Sequence, residues 1–393
     1  MIYKYLLVGG GPTCDSAIQS IRKVDPYGTI GVISSDEHQP YDRSPLSKGL
    51  WKGGNIDDIW RNTGNLGANL HLSRTATALK PDQKIVYDHE GQQYKYEKLL
   101  IATGGTPRHL EIDVKDVIYF RTVDDYFRLK ALVEQYENFG VIGGSFIASE
   151  IASALAMKGK HVTMIFPEKG ILASIMPETV TRYLNEYYKG KNVEIFKEEA
   201  VTKADKIGRE IMLDTNRGTM LAFDGVVAGI GIVPETSLAK SAGLRVSNGI
   251  VVDKFLRTSN PDIYAAGDVA CFTYPFLGSP MRFEHEDAAN AMGRIAGLNM
   301  AGKQEAYYRL PSYSSDLFND IHYDVVGDVN SRLDYVVDWK EEFKIGVIYY
   351  LTNGHLRGVL LWNIPGRIDA ARELIASSKI YNSHTLKGLL LSS

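Results

Sequence analysis

Two glycine-rich segments have the residue types and spacing that bind the pyrophosphate of a dinucleotide. The first reads GGGPTC from Gly9, and the second reads GGSFIA from Gly143. In each, an apolar run typical of a strand precedes the glycines, and a helical pattern follows them. Glycines let the backbone approach an anion, and the helix that begins there presents free N–H groups and its positive dipole end. Two such sites in one chain predict electron transfer between two bound cofactors.

An acidic residue follows the second strand of each segment, where a carboxylate would accept hydrogen bonds from an adenosine ribose. The strand TIGVIS leads to Ser35 and Asp36, and the strand HVTMIF leads to Glu168. The negative charge of Glu168 would repel a 2′-phosphate, so NADH is predicted over NADPH; a solvated loop carboxylate is the alternative. The middle position of the second fingerprint is Ser145, whose side chain is expected to weaken or reshape binding there.

The composition is that of an ordinary soluble globular protein with two or three domains. The chain has 393 residues, 44% of them hydrophobic and 23% charged. A formal charge of −3 and the lack of any Lys/Arg block argue against nucleic-acid binding as the main function. No apolar stretch approaches the roughly 20 residues that span a bilayer. Because an apolar run already begins at Ile2, we expect no cleavable leader and a cytoplasmic location.

The two cysteines, Cys14 and Cys271, show neither CxxC nor CxxxxC spacing. Neither a disulfide framework nor a redox dithiol close in sequence is therefore predicted. Cys14 stands where the third fingerprint glycine would be, and we interpret it as a small residue packed against the first strand; a reactive thiol is the alternative. The nine histidines show no metal-ligand spacing, so no metal site is expected.

The pattern of elements predicts an α/β protein with two Rossmann-like dinucleotide-binding domains and a small α+β C-terminal domain. The first domain is predicted to be discontinuous, residues 1–112 and 245–302, because the strand in NPDIYAAGDVACF has no place in the second. The second domain is predicted over 113–244 and the C-terminal domain over 303–393. In the last, Asn353–Gly354 indicates a tight hairpin turn, and RIDAARELIASSK indicates a helix.

Several longer segments carry a family resemblance: PYDRSPLSKGLW, YEKLLIATGGTPRHL, GGSFIASEIASAL, IFPEKG, NPDIYAAGDVACF and GVIYYLTNGHLRGVLLWNIPGRIDAARELI. They resemble the flavoprotein reductases of the ferredoxin-reductase and apoptosis-inducing-factor group, the latter more closely, along essentially the whole chain. The resemblance implies a glutathione-reductase-like flavoprotein fold. It also implies an FAD-dependent NADH oxidoreductase that passes electrons to a carrier protein of the ferredoxin or rubredoxin type, a quinone or oxygen.

The resemblance further implies which residues bind the cofactors. FAD is expected on Gly9, Gly11, Pro12, Thr13, Arg43, Lys48, Ala102, Thr103, Gly104 and Asp268, in addition to Ser35 and Asp36 from the strand pattern; Glu284 and His285 are expected near the flavin and the nicotinamide. NAD is expected on Gly143, Gly144, Phe146, Glu150, Glu168 and Gly231. Arg43 can pair with the pyrophosphate, and Asp268 can accept hydrogen bonds from the ribityl hydroxyls. Two alternatives stay open: Phe146 as a helix core residue, and Glu284–His285 as the start of an acidic first turn that complements a helix dipole.

Lys48 and Glu150 match a lysine and a glutamate that the family places together at the flavin ring. A nearby ammonium would stabilise the negative charge that a hydride brings to the flavin. Glu150 would hold the lysine in place and contact the nicotinamide amide. We therefore expect Lys48→Ala to slow flavin reduction by NADH more than it weakens FAD retention.

The chain also departs from the apoptosis-inducing-factor pattern. Ser314, preceded by Tyr313, stands where that branch has a tryptophan, and the long insertion, leader and basic regions of the animal proteins are absent. Death signalling and DNA binding are therefore not expected. An NADH-responsive redox sensor or scaffold, which forms a long-lived complex of reduced flavin and NAD, is the alternative function. A disulfide or peroxide reductase is less favoured, since the PLSK region lacks a cysteine; homodimer formation stays open.

Overall fold

The computed structural model describes residues 1–112 and 116–391, so the predicted domain boundary at Asp113 and the last two residues lie outside the described part. Contacts divide the chain into two compact units. Unit 1 comprises Met1–Asp42, Asn55–Thr106 and Val233–Ser312; unit 2 comprises Arg43–Gly54, Pro107–Ile232 and the residues from Tyr313 onward. This division is coarser than the three domains expected from the sequence, whose boundaries stay a prediction.

The strands, in chain order, are β1 (Ile2–Val8), β2 (Ile30–Ile33), β3 (Asn69–His71), β4 (Ala76–Lys80), β5 (Ile85–Asp88), β6 (Gln93–Ile101), β7 (Gly105–Pro107), β8 (Ile118–Tyr119), β9 (Asn138–Ile142), β10 (His161–Phe166), β11 (Val193–Lys197), β12 (Val201–Ile207), β13 (Glu210–Thr215), β14 (Met220–Phe223), β15 (Gly225–Ala228), β16 (Ile232–Pro234), β17 (Val246–Ser247), β18 (Gly249–Val252), β19 (Ile263–Ala265), β20 (Ala270–Tyr274), β21 (Ser279–Met281), β22 (Ser312–Leu317), β23 (Ile321–Gly327), β24 (Asp334–Glu341), β25 (Ile345–Thr352) and β26 (His355–Trp362). The α-helices are α1 (Pro12–Val24), α2 (Val123–Gln135), α3 (Phe146–Met157), α4 (Glu178–Gly190), α5 (Ser237–Ser241), α6 (Glu286–Met300), α7 (Ile368–Ala376) and α8 (Ser383–Leu386). Short 3-10 turns lie at Ser44–Ser47, Gly49–Lys52, Ile56–Ile59, Thr63–Leu66, Pro81–Gln83 and Gly267–Val269.

Unit 1 is built on a mixed sheet with strand order β3-β2-β1-β6-β5-β4, to which β19 adds by pairing with β6. β1, β2, β3, β6 and β19 are mutually parallel, whereas β5 runs antiparallel to both of its neighbours, β6 and β4. The register pairs Val8 with both Ile33 and Ile101, so β1, β2 and β6 end at the same edge. In open α/β sheets, ligands bind at this edge, outside the carboxyl ends of the strands.

Unit 2 contains a parallel sheet of order β11-β10-β9-β15-β8 and an antiparallel sheet of order β22-β23-β26-β25-β24. The core of the parallel sheet includes Ile142, Ile165 and Val226, which pack with residues of the β12-β13-β14 sheet such as Leu213. The turn between β25 and β26 holds Asn353 and Gly354 at φ of 51° and 77°. Two positive φ angles are typical of a tight two-residue hairpin, as the Asn-Gly pair indicates.

A buried carboxylate ties the N-terminal turns of two helices together in unit 1. Asp15, in the first turn of α1, is 0% exposed; it accepts a hydrogen bond from Thr63 Oγ1 at 2.6 Å and pairs with Arg61 at 3.3 Å. Arg61 also pairs with Asp42 at 2.5 Å and with Glu286, in the first turn of α6, at 3.4 Å. One guanidinium therefore compensates carboxylates from both helices.

Arg61→Ala is expected to lower the free energy of unfolding by roughly 3 kcal/mol, because it leaves the Asp15 charge buried without its cation. Denaturant unfolding of the purified protein measures the loss. The matched control is Arg294→Ala, which removes the exposed Arg294–Glu305 pair and should cost less than about 1 kcal/mol. Equal losses in the two variants would contradict the role given to Arg61.

Candidate functional site

The first fingerprint forms a turn that leaves room for an anion. Gly9 has a φ of +126°, and a Cβ there would lie 2.1 Å from the carbonyl oxygen of Ala102, so only glycine fits. Gly11 is the N-cap of α1 and gives no side-chain cap, and a Cβ built on it would meet nothing within 4 Å. Pro12 occupies the first helical position. The open space at an uncapped helix N-terminus fits a pyrophosphate.

The acidic residue after β2 is held in a defined position. The Asp36 carboxylate accepts hydrogen bonds from the Tyr41 hydroxyl and the His38 backbone N–H, both at 3.1 Å. Ser35 beside it is exposed, and Asp36 is half-buried. The geometry fits the expectation of a carboxylate that receives ribose hydroxyls.

The turn after β6 is fixed on both sides. The Ala102 N–H donates to the Val8 carbonyl at 2.8 Å, which joins the turn to β1. The Thr103 hydroxyl donates to the Glu235 carbonyl at 2.6 Å, and the Glu235 N–H donates to the Gly104 carbonyl at 3.0 Å. This turn therefore lies against the first fingerprint, as expected of part of one cofactor site.

The A-G-D turn also lies against the first fingerprint. A Cβ built on Gly267 would lie 2.3 Å from Thr13 Oγ1. The Asp268 carbonyl accepts a hydrogen bond from Arg282 Nη1 at 3.1 Å, and Arg282 pairs with Glu284 at 2.6 Å. No sequence pattern indicates a role for Arg282, whose side chain is 8% exposed.

His285 is the N-cap of α6 and has extended backbone angles. Its carbonyl accepts the hydrogen bond of the Ala289 N–H at 2.9 Å, and Glu286 and Asp287 form an acidic first turn. The segment therefore begins a helix whose acidic first turn is formed by Glu286 and Asp287, and Glu284 lies before it. The cofactor contact of Glu284 and His285 stays a prediction.

The second fingerprint has the same backbone construction as the first. Gly143 has a φ of +116°, and a Cβ there would lie 2.5 Å from the Gly229 carbonyl oxygen. Ser145 is the N-cap of α3, but its hydroxyl donates to that Gly229 carbonyl at 2.8 Å instead of capping the helix. The buried Gly144 accepts a hydrogen bond from the Leu172 N–H at 2.7 Å. The serine therefore leaves the shape of the turn intact, while its effect on affinity stays a prediction.

Three further residues of the predicted NAD set lie in unit 2. Phe146 is the first residue of α3 and is half-buried; its ring meets that of Tyr313 edge to face, with centroids 4.9 Å apart. Glu168 is exposed just after β10. Gly231 is exposed after β15, and its carbonyl accepts a hydrogen bond from the Arg108 N–H at 2.9 Å.

The segment Arg43–Gly54 belongs to unit 2, although its neighbours in sequence belong to unit 1. Arg43 Nη1 donates to the Arg121 carbonyl at 3.1 Å. Trp51 donates to the Leu46 carbonyl at 2.8 Å, and Lys48 lies between two 3-10 turns. Arg43 and Lys48, predicted to bind FAD, are therefore packed with the unit that carries the second fingerprint.

Lys48 and Glu150 form a buried ion pair. Lys48 Nζ lies 3.3 Å from Glu150 Oε1, and the two side chains are 19% and 4% exposed. The same ammonium donates to the Ser314 carbonyl oxygen at 2.5 Å. The structure thus brings together the two residues that the family resemblance places side by side.

Two serines that sequence reasoning missed complete the surroundings of the Glu150 carboxylate. The Ser47 hydroxyl donates to Oε2 at 2.5 Å, and the Ser315 hydroxyl donates to Oε1 at 2.6 Å. Ser47 directly precedes Lys48, and Ser315 opens the Ser-Asp-Leu triplet. Their places in these motifs are the signal that could have suggested them, but nothing in the spacing links them to Glu150.

A second charged cluster follows on β22 and β23. His322 lies 2.7 Å from Asp316 through Nδ1 and 3.3 Å from Asp324 through Nε2. The Ser314 hydroxyl donates to Asp324 as well. Hydrogen bonds to Asp316 and then Asp324 raise the pKa of His322 to about 9, and the His322 hydrogen bond lowers the pKa of Asp316. His322 therefore carries a positive charge at neutral pH.

Residues 3–294 match the model of the pyridine nucleotide-disulphide oxidoreductases, and residues 336–377 match that of the mitochondrion-associated C-terminal region of apoptosis-inducing factor. The chain belongs to the pyridine nucleotide-disulphide oxidoreductase family. It is accordingly an FAD-dependent oxidoreductase of NAD(P)H, with the fold that the two fingerprints predict.

Relatives of two kinds cover nearly the whole chain. Apoptosis-inducing factor 1, mitochondrial, of Dictyostelium discoideum is 32% identical over 95% of this chain and 78% of its own length. The ferredoxin–NAD(+) reductase component of the anthranilate 1,2-dioxygenase system of Burkholderia cepacia is 31% identical over 95% of this chain and 94% of its own. The reductase in the covalent putidaredoxin reductase–putidaredoxin complex shares the fold, with a TM-score of 0.90 at 24% identity, over 98% of this chain and 95% of the other.

Neither cysteine has the surroundings of a reactive thiol. Cys14 and Cys271 are both free and buried, and burial raises the pKa of both thiols. A thiol is a poor nucleophile when burial keeps it protonated. The interpretation of Cys14 as a small packed residue is therefore supported. Among residues 1–112 and 116–391, no helix combines the length and apolarity needed to span a membrane.

The His322 cluster makes stability depend on pH. Its pKa is raised in the folded protein, so its stabilisation is complete below the ordinary value of 6.5 and is lost as the pH rises through about 9. The difference in unfolding free energy between the protein and His322→Gln should therefore shrink between these two pH values. Denaturant unfolding at several pH values measures it. His161→Gln, at an exposed histidine at the start of β10, is the control, and a matching decline there would contradict the prediction.

Proposed function

We propose that this flavoprotein oxidises NADH and passes the electrons through FAD to a small iron–sulfur carrier protein, with Lys48 and Glu150 as the residues that serve the redox step. The buried Lys48–Glu150 pair is the observation that carries the proposal. It involves α3, the helix that begins at the second fingerprint. The similarity to ferredoxin–NAD(+) reductase components over almost the entire chain supports a carrier of this class.

The residues of both fingerprints fit the two cofactors. The turn at Gly9–Gly11 and the fixed carboxylate of Asp36 suit the pyrophosphate and ribose of FAD, and the turn at Gly143 suits a second dinucleotide. When bound, FAD accepts a hydride from a nicotinamide and can release electrons one at a time. The protein must bind and orient the two cofactors and supply charge where charge develops.

Lys48 can supply that charge. The Ser314 carbonyl and the buried Glu150 carboxylate fix the position of its ammonium, and its side chain is 19% exposed. A fixed cation in a site with little water stabilises developing negative charge more strongly than a mobile, hydrated one. Glu150 keeps the ammonium in place, so that the positive charge is already oriented before each hydride transfer.

Glu168 supports a preference for NADH. It is exposed at the end of β10, the place where an acidic side chain receives the ribose diol. A 2′-phosphate at the same place would bring two negative charges together, which raises the free energy of binding. We therefore infer that NADPH is the poorer substrate.

We expect kcat/KM to be at least tenfold lower for NADPH than for NADH, which corresponds to about 1.4 kcal/mol. Glu168→Ala should reduce the ratio several-fold, mainly by improving NADPH. Steady-state kinetics with an artificial acceptor measures both ratios. Glu178→Ala changes another exposed glutamate of unit 2 and should leave the ratio unchanged. Comparable efficiencies with both nucleotides in the unaltered protein would refute the preference.

The electron acceptor is tested by reducing the protein with NADH in the absence of air. The yellow protein should bleach, and the colour should return fastest when an oxidised ferredoxin or rubredoxin is added. Return rates with a soluble quinone and with oxygen are measured in parallel. Faster reoxidation by the quinone or by oxygen than by every carrier protein tested would contradict the proposed acceptor.

The redox-sensor function is an outcome of the same experiment. A persistent long-wavelength absorption band after NADH addition, which neither oxygen nor any acceptor removes, would favour it over the proposed enzyme. The shape of the second fingerprint, in which the Ser145 hydroxyl is bonded to Gly229, gives no reason to expect impaired nucleotide binding. We therefore favour the catalyst.

A further inference from the structure

We propose that Ser315, assisted by Ser47, is a positioning residue of the redox site. The two serine hydroxyls hold the Glu150 carboxylate in one orientation, so that the Lys48 ammonium stays bonded to the Ser314 carbonyl of strand β22. This inference rests on the function proposed above for Lys48 and Glu150. It assigns a role to the first strand of the C-terminal sheet, which carries no fingerprint.

The two serine hydroxyls donate hydrogen bonds to different oxygens of the Glu150 carboxylate. Ser47 Oγ is 2.5 Å from Oε2, and Ser315 Oγ is 2.6 Å from Oε1; both hydroxyls and the carboxylate are buried. Distances of this size are typical of strong hydrogen bonds from a hydroxyl to an ionised carboxylate. The terminal torsion of a glutamate is otherwise broad. Donors on both oxygens therefore restrict the rotation of the Glu150 carboxylate.

The Lys48 ammonium shares one of these oxygens with Ser315. Nζ lies 3.3 Å from Oε1, but only 2.5 Å from the Ser314 carbonyl. The nearest partner of the ammonium is thus the strand backbone, and Ser315 takes the preferred hydrogen-bonding position on Oε1. Without that hydroxyl, Oε1 would be free to turn toward Nζ and form a close ion pair. A closer carboxylate cancels more of the positive field of the lysine.

Strand β22 is held against helix α3 at a second point as well. The Phe318 N–H, just after β22, donates to the Ser153 hydroxyl. Glu150 and Ser153 are three residues apart on α3 and therefore lie on the same face of the helix. On the other side of the strand, the Ser314 hydroxyl is bonded to Asp324 of β23. These contacts fix the strand, so that Ser315 can act as a rigid donor to Glu150.

The test compares Ser315→Ala with Tyr96→Phe in the FAD-loaded protein. Tyr96 is buried on β6, and its hydroxyl has no hydrogen-bond partner among the described residues. Each variant therefore removes one buried hydroxyl, but only the first removes a donor to Glu150. The readouts are the flavin reduction potential without NADH, the limiting rate of flavin reduction by NADH, the NADH dissociation constant and the thermal midpoint of the apoprotein.

For Ser315→Ala we expect flavin reduction to become about tenfold less favourable, which is a potential about 30 mV more negative for two electrons. The limiting rate should fall about tenfold, while the NADH dissociation constant stays within threefold. Tyr96→Phe should leave potential and rate unchanged. Equal losses in both variants, or unchanged potential and rate in Ser315→Ala, would overturn the inference.

A double-mutant cycle tests whether Ser315 acts through Glu150. In a Glu150→Gln background, Ser315→Ala should change the limiting rate less than twofold, since the carboxylate that it orients is gone. A full tenfold loss in that background would show that Ser315 acts by another route and would reject the inference. If Ser315→Ala fails to retain FAD, the same cycle with Ser47→Ala decides, with losses in the same direction expected.

Lys48→Gln separates this inference from the proposed function. If Lys48→Gln leaves both potential and limiting rate unchanged, the proposed role of Lys48 is wrong, and the positioning role falls with it. If Lys48→Gln changes both and Ser315→Ala changes neither, the proposed function stands and only the positioning role is rejected. Changes in both variants, with Tyr96→Phe silent, support the two together.

Discussion

A negative charge buried on helix α3 is the constraint on which the arrangement of unit 2 depends. An ionised carboxylate inside a protein is tolerated only when donors and a cation replace the lost water. Glu150 is 4% exposed and receives two hydroxyls and an ammonium. These come from the turn at Ser47–Lys48 and from strand β22, so three distant pieces of chain must converge for the charge to be buried at all. Burying the Glu150 charge thus requires the Lys48 ammonium to lie beside it, at a fixed position in unit 2.

The two nucleotide-binding turns satisfy a similar constraint by the same means. In each, a glycine with positive φ lies against a carbonyl oxygen at the end of a neighbouring strand, Ala102 in unit 1 and Gly229 in unit 2. A side chain at either glycine would force the two strand ends apart. The second turn tolerates Ser145 because its hydroxyl bonds to the same carbonyl that crowds Gly143. Backbone proximity, more than the number of glycines, defines these turns.

Much of the fold could be predicted from local sequence, because strands and turns leave short-range patterns. The fingerprints at Gly9 and Gly143 indicate strand–turn–helix units, and Asn353–Gly354 indicates the hairpin that joins β25 and β26. The pairing of Lys48 with Glu150 came from the family resemblance and from no pattern in the sequence itself. The roles of most predicted cofactor residues stay predictions.

What could not be predicted depends on contacts between residues far apart in sequence. Arg61 joins Asp15 to Glu286, and Ser315 reaches Glu150 across 165 residues. Neither contact has a periodic or compositional signature, since a lone arginine or serine is usually exposed. The same applies to the segment Arg43–Gly54, which leaves unit 1 and joins unit 2. Its sequence marks it as a polar excursion but does not indicate where it packs.

The alternation of the chain between the two units also has a consequence for biosynthesis. The residues that meet at Lys48 and Ser314 are 266 positions apart, and Lys48 leaves the ribosome long before its partner has been translated. During that interval the lysine segment has no strand to dock on, and contacts of such long range form slowly. The contact between the Lys48 ammonium and strand β22 therefore forms only near the end of translation, and a nascent chain that stops short of β22 contains both nucleotide fingerprints but lacks the Ser314 carbonyl that binds the ammonium.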